Sequence, residues 1–312
     1  MKRLLLCILV ILLPVISGCA SQESMEVLAQ EYSRMSPYEI TMRKDLLSLM
    51  LAYPEYIKKI DKSDSGLVYA VLKSGKRVVY DDKKEKSYDE KLNNADLQDM
   101  MELLYPVGDI DKLMPENFDP GRIRVYSLLK EVYGDSKQNI MSNLENVKAG
   151  GKNCSFSKNN SASKALREAF GEITSLIGQG KNIYSFVFPV NGTFNYRIIA
   201  GTNQLSPHSF GIAIDLKSDK RDYWRWATRE QGQERLDTYP RDVVKAFERN
   251  NFVWGGKWGH FDILHFEYRP ELIIKAKYHV SDHEATAPWY YGFPSDESNV
   301  KEAIKIIDEG LR

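Results

Sequence analysis

The sequence predicts an α+β fold in which a small antiparallel sheet is flanked by helices. Three observations point there. Apolar residues recur at three- and four-residue steps over residues 38–51 and again over 165–177, which is the helical period. Two runs of β-branched and aromatic residues, 184–190 and 193–200, are joined by Asn191-Gly192, a dipeptide strongly favoured in two-residue hairpins. A second pair of apolar runs flanks Lys73-Ser74-Gly75.

Taken in chain order, the first nineteen residues concern location. Lys2 and Arg3 precede an apolar run from Leu4 to Ile16, interrupted only by Pro14. That run is too short to span a bilayer comfortably and reads as the core of a signal peptide. It ends in Ile16-Ser17-Gly18-Cys19, which resembles the bacterial lipobox, with cleavage after Gly18 and lipid on Cys19. The expected organisation therefore begins with a signal peptide at 1–18 and a polar tether at 19–35. The acylated Cys19 would hold the protein in membrane lipid at the bacterial cell envelope, facing the periplasm or the cell wall.

The remaining body is polar enough to be an exported soluble domain. Lys plus Arg and Asp plus Glu balance at 43 each among 312 residues, which lends no support to nucleic acid as a partner. Of the three cysteines, Cys7 departs with the signal and Cys19 is committed to lipid. Cys154 alone remains, so no internal disulfide can form and the fold must rest on its core and any metal.

Ser36-Pro37 supplies a cap and first-turn pair for a helix carrying Tyr38, Met42, Leu46, Leu47, Met50 and Leu51. Residues 66–72 and 76–80 form the hairpin around Lys73-Ser74-Gly75. The charged stretch 81–94 reads as a solvated connection without chemistry. Asp119-Pro120-Gly121 makes a turn before a helix from Val125 to Val132, and Ser163 is the expected cap of the helix over 165–177. After the predicted hairpin at Asn191-Gly192, a helix starts at Pro240 and gives way at Asn250-Asn251 to a strand, Phe252 to Trp254. Pro270 opens a tail with an amphipathic helix from Val300 to Leu311. The expected regions are an N-terminal α/β part at 36–118, a catalytic domain at 119–275 and a C-terminal tail at 276–312.

The chemistry lies in two clusters. Residues 206–215 read Ser-Pro-His-Ser-Phe-Gly-Ile-Ala-Ile-Asp. As a strand, Gly211 to Asp215 would place Gly211, Ala213 and Asp215 on one face, with the smallest side chains leaving space beside the carboxylate. An aspartate there needs a cation or a hydrogen-bond donor. His208 and Asp215 alone fit a loop-capping aspartate with a nearby hydrogen-bonded histidine somewhat better than a metal site. The second cluster, Asp262-Ile-Leu-His265-Phe-Glu267, supplies another imidazole and a spare carboxylate. Two imidazoles and a carboxylate are the ligand set of a catalytic zinc site, and the spare carboxylate can act as its base. In a regular strand Asp262 and His265 would face opposite sides, so that role requires a bend near Ile263. Glu267, on the same parity as His265, is either the rival base or a group that orients His265. His260 beside Gly259 reads as a bystander on a mobile loop, and the His279/His283 pair as coincidence. Trp224, Trp226, Trp254 and Trp258 read as core or cleft wall.

These residues resemble a known family. Ser206-x-His208-x-x-Gly211-x-Ala213-x-Asp215 followed by Asp262-x-x-His265 is similar to the zinc D-alanyl-D-alanine carboxypeptidases and the endolysin L-alanyl-D-glutamate peptidases, which share the hedgehog/DD-peptidase fold. The resemblance implies Zn2+ held by His208, Asp215 and His265, with Asp262 as general base. Thr193-Phe-Asn-Tyr-Arg197 followed by Gly201-Thr202 resembles the family segment whose arginine stabilises the oxyanion, and Ser206 would hydrogen-bond the substrate. The implied substrates are peptidoglycan stem peptides. A non-catalytic zinc-containing binding module on the same fold is the alternative, which an intact Asp262 and Arg197 oppose.

Overall fold

The computed structural model describes residues 35–279 and 287–312. The expected signal peptide, Cys19 and His283 lie outside these residues. Ser36 starts helix α1 (Pro37–Ala52) with a reciprocal capping box: its side chain accepts from the Glu39 N–H and Glu39 accepts from the Ser36 N–H. The buried face carries Leu46, Leu47 and Leu49. Strands β1 (Ile57–Lys62), β2 (Val68–Leu72) and β3 (Arg77–Val79) form an antiparallel sheet in the order β1-β2-β3. The hairpin expected around Lys73-Ser74-Gly75 is β2–β3, with Gly75 at a φ of +86°. Strand β1 escaped sequence reading because a bulge separates its two inward residues, Ile57 and Ile60, so alternation fails.

The charged stretch 81–94 is not simply solvated. Lys86 is buried against Asp82, Asp96 and Asp99 at 3.0, 2.8 and 2.6 Å, and helix α2 (Tyr88–Asn94) follows with its own capping box on Ser87. Helices α3 (Leu97–Met101), α4 (Tyr126–Tyr133) and α5 (Lys137–Ser142) lead to a hairpin of β4 (Leu144–Ala149) and β5 (Lys152–Ser157), turned by Gly150-Gly151 at φ +53° and +84°. Helix α6 (Ala162–Gly178) is capped by position rather than by Ser163. Ser163 lies inside the first turn and its hydroxyl binds Glu145, while Ser161 occupies the cap in the left-handed region.

The Asn191-Gly192 hairpin does not form. Tyr184–Val187 is a short helix, α7, and Pro189, which has no N–H to donate, breaks the run behind it. Gly192 pairs instead with Asp215: the Asp215 N–H donates to the Gly192 carbonyl at 2.8 Å and the Gly192 N–H returns a bond at 3.2 Å. Residues 193–205 then fold back on themselves through an Ile198–Leu205 bridge.

The third sheet holds the site. It comprises β6 (Ala213–Asp215), β7 (Phe252–Trp254) and β8 (His265–Tyr268) in the order β6-β8-β7, all antiparallel. Helices α8 (Arg229–Thr238) and α9 (Arg241–Arg249) precede β7; α10 (Pro270–Tyr278) follows β8. Alternation along β8 sends Phe266 into the core, stacked on Phe247 of α9 at 4.2 Å, and sends His265 and Glu267 the other way. Phe247 in turn meets Phe170 of α6 edge-on at 5.9 Å. The final helix, α11 (Ser298–Gly310), returns to pack on α1 and β1 and ties Asp308 to Arg43 at 2.6 Å. Among the described residues, no helix is long and apolar enough to cross a membrane.

Gly211 is not part of a strand, contrary to the expected Gly211–Asp215 element. It closes a 3-10 turn, Pro207–Phe210, at a φ of +67°, and its N–H donates to the His208 carbonyl at 3.1 Å. A methyl group there would sit 2.5 Å from Leu144 Cδ2 and 3.1 Å from the Ser157 nitrogen. Gly211→Ala should therefore destabilise the protein by roughly 1–3 kcal/mol, read as a lowered midpoint in urea unfolding. An unchanged midpoint would contradict this account of the turn.

Candidate active site

Register brings the first two site residues together. Asp215 ends β6 directly opposite His265, which begins β8, and His265 Nδ1 donates to Asp215 Oδ1 at 2.9 Å. The 3-10 turn swings His208 over the same carboxylate, with Nε2 3.2 Å from Asp215 Oδ1. His208 Nδ1 donates to the Thr193 carbonyl at 2.5 Å, which leaves Nε2 as the nitrogen that faces Asp215. One atom from each of His208, Asp215 and His265 lies within 4.8 Å of the other two. Two imidazole nitrogens and one carboxylate oxygen converging on a cleft suit a four-coordinate zinc ion with one position left open.

Without an ion, burial disfavours charge on His265, but its bonds to Asp215 and Glu267 outweigh that and push its pKa up to about 10. Burial likewise acts to raise Asp215, yet the two imidazoles hold it well below the usual carboxylate range. Glu267 sits on the same face as His265, 3.8 Å from Nε2. It is fully buried and forked by Arg124, at 2.9 and 2.5 Å, with Arg269 3.5 Å away. Glu267 does not line the cleft. It holds His265 from behind.

Asp262 does line the cleft, alongside His208, Asp215 and His265. The bend that its parity demands is present: residues 262–265 form a turn in which the His265 N–H donates to the Asp262 carbonyl at 3.0 Å. The Asp262 N–H reaches the Gly255 carbonyl at 2.9 Å, and Trp254 Nε1 donates to the Ile263 carbonyl at 2.7 Å. A side chain at Gly255 would put its Cβ 2.4 Å from the Asp262 carbonyl oxygen, so the Gly255-Gly256 pair is needed for close approach. Burial pushes the Asp262 carboxyl up to about 7; the charge on Asp215 adds to the shift, while His265, His208 and Arg122 oppose it.

Arg197 and Ser206 border the same cleft. The Arg197 side chain is exposed, and its backbone is fixed by the Ser209 hydroxyl and the Ser206 N–H at 2.8 and 3.0 Å. Ser206 occupies the cap of the 3-10 turn, but its hydroxyl makes no capping bond and is left for the cleft.

Sequence reading missed the opposite wall. His260, expected to be a bystander, is held by Asp119 through its N–H at 2.9 Å and Nδ1 at 2.6 Å. Tyr88 stacks on it at 5.5 Å and also binds Asp119. Trp224 meets its other side at 4.5 Å. No local signal could reveal this, because Asp119 and Tyr88 are brought to the cleft from other parts of the chain. Trp224 and Trp258 line the cleft, Trp254 is core, and Trp226 is 71% exposed. A second acidic group, Asp81, Asp82 and Asp96, is neutralised by Lys83, Lys84 and Lys86.

Residues 200–268 match the model of a family described as D-alanyl-D-alanine carboxypeptidase. That segment is similar to this family. Ser206, His208, Asp215, Asp262 and His265 all fall within it; Arg197 lies just before it, and Tyr88, Asp119 and Arg122 lie far upstream. The match bears out the family resemblance and supports a peptidase. No curated protein and no solved structure matches the chain.

Glu267→Gln should weaken zinc binding by roughly 10- to 100-fold in competition with a chelator. It should also lower stability by about 3–5 kcal/mol, since Arg124 loses its buried counter-charge. Unchanged affinity would exclude Glu267 as the support for His265.

Proposed function

We propose that the protein is a zinc-dependent peptidase acting on peptidoglycan stem peptides at the cell envelope, either as a D-Ala-D-Ala carboxypeptidase or as an L-Ala-D-Glu-type endopeptidase. The observation that carries this reading is the convergence of His208, Asp215 and His265 beside Asp262 on one open cleft, inside the family-matched segment. A bound zinc ion would supply Lewis acidity to the scissile carbonyl and to water.

The chain's own residues supply the rest. Asp262, whose carboxyl is raised toward neutrality by burial, accepts a proton from the attacking water and returns it to the departing amine. Arg197, on the cleft wall and free to extend, offers its guanidinium to the oxyanion. Ser206 donates its uncommitted hydroxyl to the peptide backbone. Thr193 and Glu267 fix the two imidazoles by engaging the nitrogens that face away from Asp215. Acylation of Cys19 would tether this catalyst within reach of the wall.

Asp262→Asn should retain about one zinc per chain while hydrolysis of stem peptides falls by roughly 10²- to 10⁴-fold; Asp215→Ala should lose the metal. Mass spectrometry of muropeptide digests reports the bond cleaved. Metal-free wild type, or cleavage unaffected by Asp262→Asn, would overturn the mechanism and favour the binding-module alternative. Cys19→Ala should move the protein from the membrane to the soluble fraction of a bacterial host, and continued membrane association would rule out anchoring through Cys19.

A further inference from the structure

We propose that Arg122 is a specificity residue that recognises a free carboxylate of the peptide substrate. The inference rests on the peptidase reading for the identity of the cleft, and deepens it by naming the chemistry the cleft selects.

Arg122 projects from the Asp119-Pro120-Gly121-Arg122 turn, upstream of the family-matched segment. Four hydrogen bonds immobilise that turn. The Arg122 N–H donates to the Asp119 carbonyl at 3.0 Å. Trp258 Nε1 donates to the Pro120 carbonyl at 2.7 Å, Arg269 Nη1 to that of Gly121 at 2.5 Å and Arg124 Nη1 to that of Arg122 at 2.8 Å. Three of these donors are buried side chains of the site's own framework, so Arg122 is carried at a fixed position relative to β8. Its side chain lines the cleft with His208, Asp215, Asp262 and His265.

The guanidinium is poised rather than satisfied. Arg122 Nη1 is buried and has no hydrogen-bond partner. The nearest carboxylate, Asp119, is 3.9 Å away and already receives the His260 N–H, His260 Nδ1 and the Tyr88 hydroxyl. Arg124, two residues on, is by contrast fully paired with Glu267. A buried donor without an acceptor is unfavourable; the side chain as a whole is 21% exposed and borders the cleft, so its guanidinium can take up an acceptor that comes with the substrate. A carboxylate fits this role better than a neutral carbonyl, because a guanidinium presents parallel N–H groups matched to two oxygens. Arg197, which is exposed and serves the oxyanion in the proposed reaction, has a separate task.

The test uses diacetyl-Lys-D-Ala-D-Ala and its carboxy-terminal amide, binding each to zinc-loaded Asp262→Asn protein so that neither is consumed. The free acid should bind roughly 10- to 100-fold more tightly than the amide. Arg122→Ala, or the closer-shaped Arg122→Gln if the alanine variant is unstable, should abolish that preference without altering amide binding, and Arg122→Lys should restore part of it. The absence of any preference, its survival in Arg122→Ala, or failure of both peptides to bind would overturn the assignment. Hydrolysis by the wild type is scored separately. Acid selectivity without cleavage leaves Arg122's role intact and defeats the peptidase reading; cleavage without selectivity does the reverse.

Discussion

The cleft depends on one pairing, Asp215 opposite His265 across β6 and β8. A slip of a single residue would turn every side chain of β8 over, sending His265 and Glu267 into the core and Phe266 into the cleft. The register is held from both sides. On the core face, Phe266 stacks on Phe247 and lies opposite Ile214 and Trp254, a fit that no shifted pairing preserves. On the outer edge of β6, Gly192 bonds Asp215 in both directions. The energetics of an apolar core thus determine the geometry of a polar site, because the two faces of a strand are coupled.

Behind the site runs a buried chain of alternating charge. Arg124 meets Glu267, Glu267 meets Arg269, and Arg269 meets Glu271 at 2.6 Å. Glu271 then accepts the Tyr53 hydroxyl at 2.7 Å, at the end of α1. Every carboxylate lies between donors, so no charge is left alone in low dielectric, whereas removal of any one member would leave a neighbour uncompensated. The same chain links residues before 60 to His265. The region 36–118 therefore helps to support the site, and through Tyr88 it also forms part of the cleft wall.

Legibility followed the range of the interaction. The α1 start was visible because Ser36, Pro37 and Glu39 act within one turn, and the β2–β3 hairpin because Gly75 adopts the backbone its turn requires. The candidate metal-ligating set was visible because His208 and Asp215 are near neighbours and their spacing, with Asp262 and His265, is a strong pattern. The Asn191-Gly192 hairpin failed because the local preference of that pair was outweighed by hydrogen bonds from β6, with Pro189 unable to donate. Residues 81–94 looked solvated because charge is locally polar, although Lys86 finds three carboxylates in the fold. His260 and Arg122 carried no usable signal, since their meaning lies in Asp119 and in the space beside it.

By itself the sequence determined the mixed α+β class, the candidate ligands His208, Asp215 and His265, the need for a bend before His265, and the choice of Asp262 as a base candidate. These follow from covalent spacing, side-chain chemistry and motif. Only the tertiary structure decided that Glu267 is turned away to support His265, that Gly211 ends a tight turn rather than beginning a strand, and that Arg122 and His260 complete the opposite wall. Those outcomes arise from contacts between segments distant in the chain, where burial and competition for hydrogen-bond partners, rather than local preference, select the arrangement.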